Sequence, residues 1–128
     1  MIIPEATVCA ILKRNGKVLI TKRNVNPYKG KWCLPGGHIN PFENAISAVK
    51  REVREETGLV FKPKFITYVD SFFKSLNIHH IALFFKGNPK GKLKNSQEVT
   101  EYCWITKKEI KHFSFAFHHK KILEDFWE

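Results

Sequence analysis

Cysteine is scarce and unpatterned in this chain of 128 residues: Cys9, Cys33 and Cys103 are odd in number, far apart and without a C-x-x-C spacing. That argues against a disulfide framework and against a zinc site, and it suits a reducing cytoplasm. Long apolar runs are missing as well, none approaching the ~18 residues that a membrane-spanning helix requires. The first residues, MIIPEATVCAILKRNGK, have no positive leader region and are broken by Lys13-Arg14-Asn15-Gly16, so a soluble protein that stays where it is made is expected. Repeats, low-complexity tracts and linkers are absent too. Residues 1–128 are therefore expected to form a single domain, with 43% hydrophobic and 13% aromatic residues enough to fill its core.

Acidic residues are outnumbered, 12 against 22 Lys and Arg, for a formal net charge of +10. Such a balance attracts polyanions and speeds the arrival of phosphorylated ligands. The basic residues are spread along the chain and form no helix-turn-helix or RNP sequence, which favours a generic basic surface over nucleic-acid binding.

Against that background, four of the twelve acids, Glu43, Glu52, Glu55 and Glu56, fall within residues 36–59, GGHINPFENAISAVKREVREETGL. Residues 40–42 read as a lead-in turn, 43–57 as a helix of about four turns, and Gly58 as its left-handed stop. Advancing roughly 100° per residue puts Ala45, Ile46, Val49 and Val53 on a core-facing side and Ser47, Lys50, Arg54 and Thr57 on the watery side. Glu52, Glu55 and Glu56 share an arc that borders the apolar stripe. Like charges at these spacings repel, the more so as water is removed, so a cation belongs among them. A hard divalent ion answers that need, because Mg²⁺ takes a few carboxylates, keeps several waters and is shared with substrate phosphates. The alternative is a solvated acidic face offset by pairs such as Arg51 with Glu55.

The spacing decides between them. Gly37, Glu43, Arg51-Glu52-Val53, Glu55-Glu56 and Gly58-Leu59 match every fixed position of the pattern G-x5-E-x7-R-E-U-x-E-E-x-G-U, where U is bulky and apolar. The chain thus resembles the Nudix family, and the preceding W-x-L-P-G-G, here Trp32 to Gly37, resembles the family's lead-in strand as well.

Elsewhere, 6–12 and 18–22 read as strands joined at Asn15-Gly16, a strong hairpin signal. Residues 23–31 read as a loop and 32–34 as a short strand leading into Pro35-Gly36-Gly37. Residues 65–73, 78–86 and 99–105 are rich in β-formers, with a turn at 74–77 between the first two. The basic stretch 87–95 is the expected mobile loop, Thr106 to Glu109 fits a capping box, and 115–127 has the apolar spacing of a closing helix. Mixed strands and helices suggest an α/β protein with helices covering a mixed sheet; the resemblance sharpens this to the Nudix α/β/α sandwich.

The resemblance further implies a hydrolase of phosphoanhydride bonds that uses Mg²⁺, with Mn²⁺ as a substitute. Glu52, Glu55 and Glu56, with the Gly36 carbonyl, would be metal ligands, one of the acids acting instead as the base on the attacking water. Arg51 would orient a carboxylate through a bidentate pair, and Glu43 would support the loop and ion site. Glu98 or Glu101 would supply one more acid, and Arg23 a phosphate or base contact. Tyr28, Phe72 and Phe73 are candidates to stack on a base. His38 reads as a loop-structuring residue, and the pairs His79-His80 and His118-His119 show no metal-ligand spacing. Phe42 stands where the family frequently carries glycine. The short chain and P-G-G-H lead-in resemble the nucleoside triphosphate pyrophosphatases, which release a nucleoside monophosphate and pyrophosphate. ADP-ribose or another nucleotide sugar, an RNA 5′ end, and a catalytically silent binding module are the alternatives, and the family leaves room for a homodimer.

Overall fold

The Asn-Gly hairpin forms as predicted. In the computed structural model, which describes residues 2–128, β1 (Glu5–Arg14) and β2 (Lys17–Arg23) pair antiparallel at Lys13 with Val18 and Arg14 with Lys17. Asn15 and Gly16 take φ of 53° and 74°, both left-handed, as a tight turn matched to strand twist demands. Past the turn the two strands diverge. β3 (Trp32–Cys33) and β7 (Val99–Ile105) flank β2, whereas β4 (Gly36–His38) and β6 (Ile78–Gly87) flank β1, with β5 (Lys64–Phe73) beyond β6. Among the described strands β1 and β6 alone pair in parallel, and the sheet is mixed.

Alternation along β1 builds two cores. Val8, Ala10 and Leu12 meet Leu19, Phe85 and the buried side of α1 (Ala45–Thr57), namely Ala48, Val49 and Val53. Cys9 and Ile11 face the other way, against Ile20, Phe84, Ile105 and the carboxy-terminal Ile122, Leu123 and Trp127 around α2 (His119–Asp125). Burying one such aliphatic or aromatic side chain contributes roughly 1.5–3 kcal/mol, and helices consequently cover both sheet faces in an α/β/α arrangement.

Several local expectations shift. α1 begins two residues later than the pattern suggests, because Asn44 caps it, its Oδ1 accepting from Ser47 N at 2.8 Å; Glu43 therefore precedes the helix. Gly58 (φ 78°) ends it as expected. Ile46 is 50% exposed whereas Thr57 is fully buried, its hydroxyl satisfied internally by donating to Val53 O and accepting from Leu59 N. Residues 36–38 are a strand and not a loop: they pair with Cys9, Val8 and Thr7, so closely that a Cβ on Gly36 would lie 2.1 Å from Val8 O. Loop 87–95 is tied down by reciprocal Val60–Lys90 backbone bonds and by Lys94 N donating to Thr57 O.

The carboxy-terminal expectations shift in the same way. Glu109 accepts from Thr106 N at 2.8 Å as a capping box should, yet the turn it opens, Lys107–His112, is 3-10. The tail is not one helix, since Phe115 bridges Trp32 and Phe117 has φ of 53°, a conformation no α-helix continues through.

Candidate active site

The divergence of β1 and β2 opens a cavity of about 500 Å³, within the ordinary range of small-ligand sites. Four carboxylates line it, Glu5, Glu52, Glu56 and Glu98, whereas Arg23 is the one lining arginine or lysine among the described residues. In a chain with net charge +10, the cavity is an acidic exception.

Glu56 is the deepest of these acids, 9% exposed, and its Oε1 accepts from Gly36 N at 3.1 Å. No cationic side chain pairs with it among the described residues. Burial above all pushes its pKa up to about 8; the Gly36 N–H opposes this, and the charges of Glu52 and Glu98 add to it. Burial likewise raises Glu52, against the pull of Arg51. Gly37 leaves room for the Glu52 carboxylate, which a Cβ there would meet at 2.5 Å and displace.

Arg51 fastens the loop to the helix. Its Nε and Nη2 donate to the two oxygens of Glu43 at 2.8 and 3.0 Å, its Nη1 to Glu52 and Glu55 at 2.8 Å each, and its Nη2 also to His38 O at 3.0 Å. These bonds hold the guanidinium well above its usual pKa, the Glu43 pair most of all, and the same pair holds Glu43 below the usual carboxylate range. Glu43 also accepts from Asn40 N at 3.0 Å. Phe42, wholly exposed, has φ of 66°, so the chain takes the left-handed step there that glycine takes without strain.

Of the other anticipated residues, Glu98 lines the cavity, but Glu101 does not and lies 3.5 Å from Lys22. Glu55 is turned outward, its side chain 58% exposed, and among the described residues it pairs with Arg51 alone. Arg23 donates from Nε to Pro27 O at 2.8 Å and lies over the Phe117 ring at 5.2 Å. Tyr28 and Phe73 back Phe117 from outside the cavity, and Phe72 points away on the outer surface, 61% exposed. A set of oxygen donors around the buried, unpaired Glu56 fits a hard divalent ion.

Phe117 and His119 are among the lining residues that escaped the sequence reading. Phe117 fell inside an expected helix. His119 looked like half of an unremarkable pair, yet it is buried, its Nδ1 accepting from Leu34 N at 2.9 Å and its Nε2 lying 3.6 Å from Cys9 Sγ. An accepting Nδ1 places the proton of the neutral ring on Nε2. Burial, then the positive charge of Arg23, lowers its pKa to about 3. His119 thus anchors the strand that leads into Gly36, a role that no spacing in the sequence signals.

Comparison with known proteins agrees with this geometry. The family model for the NUDIX domain matches residues 3–126. An ADP-ribose pyrophosphatase of Methanocaldococcus jannaschii is 34% identical over 96% of this chain and 73% of its own. An 8-oxo-dGTP diphosphatase of Buchnera aphidicola is 30% identical over 92% and 89%. The crystal structure of a MutT protein from Methanosarcina mazei superposes with a TM-score of 0.84 at 31% identity, over 96% of this chain and 92% of that one. With a complete motif, a matching fold and an acidic cavity at the motif, the chain belongs to the Nudix family of pyrophosphohydrolases.

Proposed function

We propose that this protein is a Mg²⁺-dependent nucleoside triphosphate pyrophosphatase, adding water across a phosphoanhydride bond to release a nucleoside monophosphate and pyrophosphate. One observation carries the reading: Glu52, Glu56 and Glu98 line one cavity in which Arg23 is the one arginine or lysine among the described residues. Such a cavity repels a polyphosphate unless divalent cations arrive with it, and Nudix hydrolases generally use a divalent metal. When bound, that ion screens phosphate charge and makes water a better nucleophile.

The chain's own residues divide the remaining work. Glu52, Glu56 and the Gly36 carbonyl would hold the ion, with Glu55 turning inward from solvent to join them and Mn²⁺ as a substitute. Glu98, which lines the cavity, would accept a proton from the attacking water, and Arg23, over the Phe117 ring, would steady a phosphate. Arg51 and Glu43 set the orientation of the carboxylates without contacting substrate. The protein works as one domain, and its three free thiols suit a cytoplasmic location.

ADP-ribose is the second reading, favoured by the name of the Methanocaldococcus relative. A panel of nucleoside triphosphates, ADP-ribose and triphosphorylated RNA, each incubated with and without Mg²⁺, separates the two. Pyrophosphate from a triphosphate supports the first reading, AMP with ribose 5-phosphate the second, and turnover without added divalent ion overturns the metal assignment.

A further inference from the structure

At the other end of the same cavity the fold gathers a second set of ligand atoms. Glu5 on β1 lies opposite His80 on β6, and His38 on β4 lies opposite Thr7, two residues further along β1. All three side chains line the cavity. His38 Nε2 is 2.6 Å from Glu5 Oε2, the His38 and His80 rings stand at 88° with centroids 5.5 Å apart, and one ligand atom from each residue falls within 4.8 Å of the others. Gly36 lies opposite Cys9, four residues from Glu5. Glu5 is therefore about 13 Å along the strand from the backbone that meets Glu56, whereas His38 is next to Gly37, which the Glu52 carboxylate abuts.

We propose that Glu5, His38 and His80 form a second cation site, specific for a borderline transition ion such as Zn²⁺ and separate from the site at Glu52 and Glu56. Two imidazoles and one carboxylate are the donors that zinc-like ions take at ~2.1 Å, whereas Mg²⁺ prefers oxygen alone. Ligands at that radius sit about 3–3.5 Å from one another, so the trio needs only modest side-chain rotation to close on an ion. Glu5 and His38 are more than half exposed and free to make it. All three ligands come from paired strands, which fixes their spacing before any ion arrives. Three protein ligands leave positions open toward the cavity, where an oxygen or nitrogen of its occupant completes the shell. This site does not depend on the proposed substrate.

The test is a Zn²⁺ titration of untagged protein by calorimetry in saturating Mg²⁺, repeated with Co²⁺ as a spectroscopic probe. One ion per chain is expected. Glu5→Gln and His80→Ala should weaken its binding by more than the ~10–100-fold that loss of a supporting residue costs, whereas Glu56→Gln should leave it within about threefold. Because Glu5 is exposed, Glu5→Gln carries the test even where His80→Ala fails to fold. Absence of uptake under Mg²⁺, binding insensitive to Glu5→Gln, or a Co²⁺–thiolate absorption band assigning the ion to a cysteine would each overturn the proposal.

Discussion

Replacing His119 by Asn should turn an acid-sensitive protein into a less sensitive one while weakening it at neutral pH. Asn can offer an acceptor near the place of Nδ1, but it loses the Nε2 contact with Cys9 and the edge packing against Phe84 at 5.7 Å. Together these losses are worth on the order of 2 kcal/mol. The parent protein carries the opposite liability. Its folded His119 has a pKa of about 3 against 6.5 in the unfolded chain, so between those values the unfolded state binds the additional proton. Stability from this residue is complete above pH 6.5 and drains as pH falls, at ~1.4 kcal/mol per pH unit. By pH 4.5 the parent has lost about 2–3 kcal/mol through His119 alone, enough to cancel the handicap of the variant. Urea unfolding of both proteins from pH 7.5 to pH 4, in EDTA, reads the difference directly, and every other titrating group cancels in it. The two stabilities should converge near pH 5 and cross below it. A gap that stays constant across the range refutes the neutral, buried imidazole.

Glu56→Gln should keep the fold, since the amide oxygen still accepts from Gly36 N, while turnover falls by about a hundredfold or more; near-normal activity counts against its place at the ion. Glu98→Gln should lower turnover much more than Glu101→Gln, because only Glu98 lines the cavity, and equal effects in a steady-state assay would remove Glu98 from the chemistry. Phe42→Gly should raise stability by about 0.5–1 kcal/mol, relief of left-handed strain outweighing the added freedom of the unfolded chain. Thermal unfolding that shows a lower Tm would mean that Phe42 makes contacts its full exposure does not suggest.

Local chemistry was legible wherever one residue dictates one geometry. Asn15-Gly16 announced the hairpin, Gly58 the end of α1, and Gly37 to Leu59 the motif, all from short-range pattern. Arg51 was expected in a bidentate ion pair and makes one with Glu43, although its reach to Glu52, Glu55 and His38 O was hidden. What escaped depends on contacts distant in sequence. Residues 36–38 read as a loop because two glycines carry no strand signal; their pairing comes from β1. Thr57 read as solvent-facing because periodicity ignores a hydroxyl that satisfies itself within its own helix. Glu5, His38 and His80 showed no ligand spacing because three strands bring them together. Phe117 and His119 reach the cavity through a left-handed step that breaks the apolar period.

The parallel pairing of β1 with β6 has a consequence for how the protein is made. Position 5 meets position 80, and Leu34 is held by a side chain at position 119, so a ribosome releasing the chain from its amino terminus can complete the hairpin and α1 early but not the cavity. Closing so long a loop is slow. The acidic half-site of α1 waits until Phe117 and His119 have emerged, and a nascent chain stalled before His119 holds its motif residues without the complete pocket around them.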